Sequence, residues 1–161
     1  MNTKLKKYVY CAMFVAIAVV LSIFTIKFGD IFELNLAPVV IMLAGIMIGP
    51  VFGGVGGVAA DFIGTMIIGT GYNPLFSVTW FFYGLIPGMI IKKLPASLPR
   101  SVAGISAAQI ICSLCLNTLW IYLIYGPGLS LMRFVGSLCS LGIYFVIFIL
   151  LQKKIGKYSL R

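Results

Sequence analysis

The stretch "LAPVVIMLAGIMIGPVFGGVGGVAADFIGTMII", residues 36–68, reads either as one long apolar segment or as two helices broken at Gly49-Pro50. The choice sets the number of membrane spans. The basic residues decide it. Lys4, Lys6 and Lys7, then Lys92, Lys93 and Arg100, then Lys153, Lys154, Lys157 and Arg161 form three clusters that hold ten of the twelve Lys and Arg residues. Two helices in 36–68 bring the apolar runs to six, at about 8–26, 36–49, 51–68, 76–91, 101–124 and 129–152. All three basic clusters then lie on one side. A single helix there would send both later clusters across the membrane. Cytoplasmic loops carry the excess of Lys and Arg, so the charge selects six spans with both termini cytoplasmic. Proline suits the first turn of a new helix, which makes Gly49-Pro50 the break. Run 36–49 is short against the roughly 20 residues that a bilayer needs.

Composition supports the same class. Hydrophobic residues make up 61% of the 161, charged residues 9%, and the mean hydropathy is +1.14. A soluble domain carries about 25% charged residues. The expectation is an all-α integral membrane protein, with residues 1–161 forming a single six-helix domain. The first run is too long for a signal-peptide core and lacks a small-residue cleavage site, so it reads as a retained helix. The net charge of +9 sits at helix ends. No basic face with interleaved aromatics is present, so nucleic acid is not an expected partner. Membrane lipid is.

Catalytic chemistry has few candidate groups. There is no His, no nucleotide-binding P-loop and no carboxylate pair within a span. Cys11, Cys112, Cys115 and Cys139 lie in apolar runs and read as small buried hydrophobes, the C-x-x-C included. The protein is therefore expected to be no enzyme and to need no metal or cofactor. Energy must come from an ion gradient or from a partner protein. A lone carboxylate is thin support for an ion-coupled carrier, which normally gathers several polar groups at the midplane.

That carboxylate is Asp61. The other two acidic residues, Asp30 and Glu33, fall in the outside loop "KFGDIFELN", residues 27–35. The remaining outside loops are "GTGYNPL", 69–75, and "YGPG", 125–128; "KKLPASLPR", 92–100, lies inside, and Pro87 is expected to kink or end the fourth helix. Asp61 then sits about 12 Å below the outer end of helix three. Arg133, Asn117, Thr118, Trp120, Tyr122, Tyr72, Asn73, Thr79, Trp80, Tyr83 and Lys27 share that outer half. Bland readings exist for each: an Asp61–Arg133 ion pair, snorkelling of Arg133, an aromatic belt. The functional reading is an outward-facing pocket with one negative and one positive pole between aromatic walls. Such a pocket suits a flat, hydrogen-bonding heterocycle with an acidic tail. Aspartate accepts two parallel N–H bonds from an amino-pyrimidine edge, and arginine grips a carboxylate with its fork. Ala12 and Ala16 add a small-xxx-small face on helix one. Gly45, Gly49, Gly53 and Gly57 recur every four residues across the Pro50 break, chiefly a packing pattern.

Taken together, Ala12-x-x-x-Ala16, the G-P-x-x-G-x-x-x-G…A-D pattern from Gly49 to Asp61 and "YNPLFSVTWFFYGLIPG" resemble the substrate-binding S components of energy-coupling factor (ECF) transporters. "YNPLF", "NTLW" and Arg133 narrow the resemblance to the folate-specific S components. The resemblance implies a vitamin pocket near the outer surface, capped by loops 1, 3 and 5. It implies partnership with a membrane coupling protein and two ATPase subunits, toppling of the S component to release vitamin inside, and a prokaryotic cell membrane. Ala12 and Ala16 would dock on the coupling protein. Asp61 would pair with the pterin edge and Arg133 with a polar or acidic part of folate. Asn117, Tyr72, Asn73, Trp80 and Tyr83 complete the expected site. A second arginine expected near helix one is absent. Lys27 is the candidate substitute, a point charge rather than a fork. The alternatives are another vitamin (riboflavin, thiamine or a queuosine precursor) or a non-transport membrane scaffold.

Overall fold

The computed structural model describes residues 3–28, 32–93 and 98–155, with some side chains inside these segments left undescribed. Helix α1 is Thr3–Ile23, α2 Ala37–Met47, α3 Pro50–Ile68 and α4 Pro74–Lys93. Helix α5, Leu98–Gln109, runs without a break through a π-helical segment, Ile110–Asn117, into α6, Thr118–Tyr125. Helix α7 is Pro127–Ile155. With α5, the π segment and α6 counted as one rod, the described residues form six helical spans in the expected order.

The break between α2 and α3 falls at Gly49-Pro50. Gly49 has φ +131 and ψ 159, backbone that only glycine adopts readily, and Pro50 opens α3. Helix α2 is about 16 Å long, half the hydrocarbon thickness of a bilayer. It is also heavily buried, with Ala37, Val39, Ile41 and Met42 at or below 3% exposure, and it packs against α1, α3 and α4. Its short length is therefore accommodated inside protein rather than against lipid. Leu5–Ile23, Pro50–Ile68 and Ala103–Tyr125 are long and apolar enough to cross a membrane. Their outer faces carry large exposed apolar side chains such as Met13, Ile17, Val55, Met66 and Leu123. So wide an apolar surface suits lipid rather than water.

Helices α2, α3 and α4 cross backbone to backbone. A Cβ on Gly45 would overlap the Gly84 carbonyl, one on Gly53 the backbone of Gly45, and one on Gly84 the backbone of Gly53. One on Gly57 would overlap the carbonyl of Trp80. Gly45 and Gly57 thus open onto α4, while Gly53 meets α2 first and α4 beside it. Gly49, in the break, has nothing near its side-chain position.

Three expectations change. Loop 1 is not plain coil: Ile26–Phe28 (β1) and Phe32–Leu34 (β2) form an antiparallel ribbon with Ile26 opposite Leu34, Lys27 opposite Glu33 and Phe28 opposite Phe32. The cause is the alternation Ile26, Phe28, Phe32, Leu34, a period of two that strands satisfy. Of the two outcomes expected at Pro87, the helix end does not occur: α4 continues to Lys93 with the proline buried inside the bundle. Of the cysteines, Cys112 is fully buried, but Cys11 is half-buried and Cys115 is exposed on the bundle's outer surface.

Candidate ligand-binding site

A cavity of about 800 Å³ opens at the end of the bundle where loop 69–73 and the turn between α6 and α7 meet the end of α1. Asp61 and Thr65 enter it from α3, and Thr79, Trp80 and Tyr83 from α4. The fifth rod supplies Gln109, Ser113 and Asn117, and α7 supplies Ser137, Ser140 and Tyr144. Asn73 closes the loop side. Among the described lining residues, Asp61 is the one charged group.

Asp61 is 6% exposed, and its Oδ2 lies 2.5 Å from Ser77 Oγ. Ser77 Oγ also lies 2.9 Å from the Tyr72 hydroxyl. A serine has one proton to donate. With the Ser77 O–H donated to the carboxylate, the tyrosine O–H donates to Ser77, and the three groups form a chain of hydrogen bonds that holds Asp61. Tyr72 itself does not border the cavity. Its ring packs edge-on against Phe62, centroids 5.1 Å apart, and it reaches Asp61 only through Ser77. Asp61 keeps its remaining accepting capacity for another donor.

The other walls are braced across helices. Trp120 Nε1–H donates to Thr79 Oγ1 at 3.1 Å, fastening α6 to α4. Tyr144 O–H donates to the backbone carbonyl of Asn35 at 2.5 Å, fastening α7 to the chain after β2. Asn35 Oδ1 accepts the N–H of Ala37 at 2.9 Å, satisfying one of the unpaired donors at the start of α2. Asn73 does the same for Leu75 N at 3.1 Å, beside the start of α4. Trp120 and Tyr122 do not border the cavity.

The π segment explains one whole wall. Gln109, Ser113, Asn117 and Ile121 all line the cavity at a spacing of four. On an α-helix at about 100° per residue, twelve residues would carry the last of them about 120° past the first. Winding with i→i+5 bonds puts more residues in each turn and brings residues four apart back toward one line. Ile110–Asn117 are wound in this way.

Of the expected site residues, Asp61, Asn117, Asn73, Trp80 and Tyr83 come together here. Lys27 lies on β1 and Arg133 in α7; their side chains, like Glu33's and all of Asp30, lie outside the described residues. Ala12 and Ala16 are exposed on α1. Gln109, Ser113, Ser137 and Ser140 were not expected. Gln109 had a readable signal, a second amide eight residues before Asn117 inside the run 101–124. The serines had none, since small hydroxyls are routine in membrane helices.

The profile of the family described as "ECF transporter, substrate-specific component" matches residues 6–159. The folate transporter FolT of Clostridium novyi (strain NT) is 25% identical over 145 residues, which span 89% of this chain and 84% of that protein. The crystal structure of FolT bound with folic acid superposes with a TM-score of 0.78 at 24% identity, covering 94% of this chain and 93% of the other. ThiT from Listeria monocytogenes superposes with a TM-score of 0.75 at 20% identity, covering 98% and 99%. At these identities the two structures share the fold. With the family profile matched across the bundle that builds the cavity, the chain belongs to the substrate-specific components of ECF transporters: it is a membrane transporter subunit and not an enzyme.

Proposed function

We propose that the protein binds folate and serves as the folate-capturing subunit of an ECF importer. The observation that carries the proposal is Asp61, a buried carboxylate held from one side by Ser77 and bordering a cavity of about 800 Å³. The amino group and adjacent ring N–H of a pterin offer such a carboxylate two parallel donors. Trp80 and Tyr83 supply flat walls for the ring. The cavity volume lies within the usual range for small-molecule sites, about 300–1,000 Å³. The likeness to a folate transporter along most of the chain supports the same ligand. Arg133 and Lys27 serve the tail end of the ligand in this reading, and Asn117 and Asn73 supply neutral hydrogen bonds.

Family membership supports the rest of the proposed cycle. The chain works with a membrane coupling protein and two ATPase subunits, on which it docks through Ala12 and Ala16 and topples to deliver the vitamin. It sits in a prokaryotic cell membrane. The three basic clusters support a reading with both termini in the cytoplasm and the cavity mouth outside.

Radiolabelled folate, titrated onto purified detergent-solubilised protein, tests the reading. Saturable binding at or below low micromolar folate is the expected result, and its absence rejects folate. Another vitamin, such as thiamine, is the second reading. Mass spectrometry of small molecules carried through purification separates the two.

A further inference from the structure

Gln109 ends α5, one residue before the π segment. It borders the cavity and is 1% exposed. Neither its Nε2 nor its Oε1 has a hydrogen-bond partner among the described residues. Buried side-chain amides are nearly always bonded, and each exception calls for an explanation. A methionine would fill the same space without the desolvation cost. The amide therefore adds nothing to the bundle that an apolar chain would not add better. The cavity beside it is where its partners come from. Its neighbours on the same line, Ser113 and Asn117, border that cavity too.

Resting on the folate reading, we propose that Gln109 is a second ring-recognition residue, turning into the cavity when ligand enters and binding a ring edge that carries one donor beside one acceptor. A carboxylate offers acceptors only, whereas an amide offers both. Asp61 and Gln109 thus read different edges. Asp61 takes two N–H groups. Gln109 takes a mixed edge such as the second N–H of the amino group next to an unprotonated ring nitrogen. Together they demand a heterocycle with both kinds of edge, a stricter filter than Asp61 alone.

Two variants test this, Gln109→Met and Gln109→Glu, each followed by thermal unfolding without ligand and by folate titration. Gln109→Met should unfold at the same or a higher temperature than the parent, because it removes an unbonded buried amide. Its folate affinity should fall about tenfold or more. Gln109→Glu keeps the length and loses the donor, and should lose folate affinity as well. A lower unfolding temperature for Gln109→Met would show that the amide already bonds within the protein, and would overturn the proposal. So would parent-like folate binding by either variant. Failure of the parent protein to bind folate rejects the folate reading by itself. Thiamine and riboflavin then replace folate as probes of the same variants under the same criteria, and a parent that binds none of the three overturns both readings.

Discussion

Asp61 was legible as an anomaly: one carboxylate inside an apolar run, where an ionisable group is expensive. Its support was not legible. Ser77 is sixteen positions away and looks like any small residue of an apolar helix, yet it holds the carboxylate at 2.5 Å and links it to Tyr72. The position of Tyr72 behind Asp61 gives it a holding role rather than a stacking one. Asp61→Asn exchanges half of an acceptor-only edge for an N–H that faces the ligand's own donors. A hydrogen bond to a charged group contributes about 1.5–3 kcal/mol, so folate affinity should fall by roughly ten- to a hundredfold. Isothermal titration of the purified variant measures this, and an unchanged affinity would remove Asp61 from the site.

The crossing of α2, α3 and α4 depends on missing side chains. Gly84→Ala would drive a Cβ into the backbone of Gly53. Neither partner atom can rotate away, since both belong to helices. Overpacking of this kind costs about 1–3 kcal/mol or more, and the variant should unfold at a lower temperature in detergent or fail to accumulate. Gly142→Ala is the contrasting case. Its Cβ meets nothing within 4 Å, in the middle of α7. There the gain in helix propensity, up to about 1 kcal/mol, should leave stability unchanged or slightly raised. Equal thermal shifts for the two variants would contradict the close crossing. The repeating glycines signalled close contact from the sequence, but not which helix they meet. The π segment was hidden altogether, because its i→i+5 bonding is a choice of winding that apolar residues do not announce.

The bundle presents Ala12 and Ala16 outward on α1. If that face docks on the coupling protein, Ala12→Leu and Ala16→Leu should abolish vitamin uptake by the assembled transporter while leaving folate binding by the isolated subunit intact. Loss of both activities would mean damage to the bundle instead, and retained uptake would clear the face of any docking role. Assignment to a transporter family also removes the scaffold alternative.

The number of helices, their order and the break at Gly49-Pro50 could be read from the chain alone, because they depend on local quantities: the length of an apolar run, the charges flanking it, and a Gly-Pro pair that no continuous helix accommodates well. The cavity could not. Its wall joins residues far apart in sequence, such as Asn35 with Tyr144, and the wall residue Thr79 is held from behind by Trp120. Which side chains meet there depends on how each helix is rotated about its own axis. That rotation is settled by glycine crossings, by the winding of residues 110–117 and by hydrogen bonds between helices, and those terms exist only once the helices have packed.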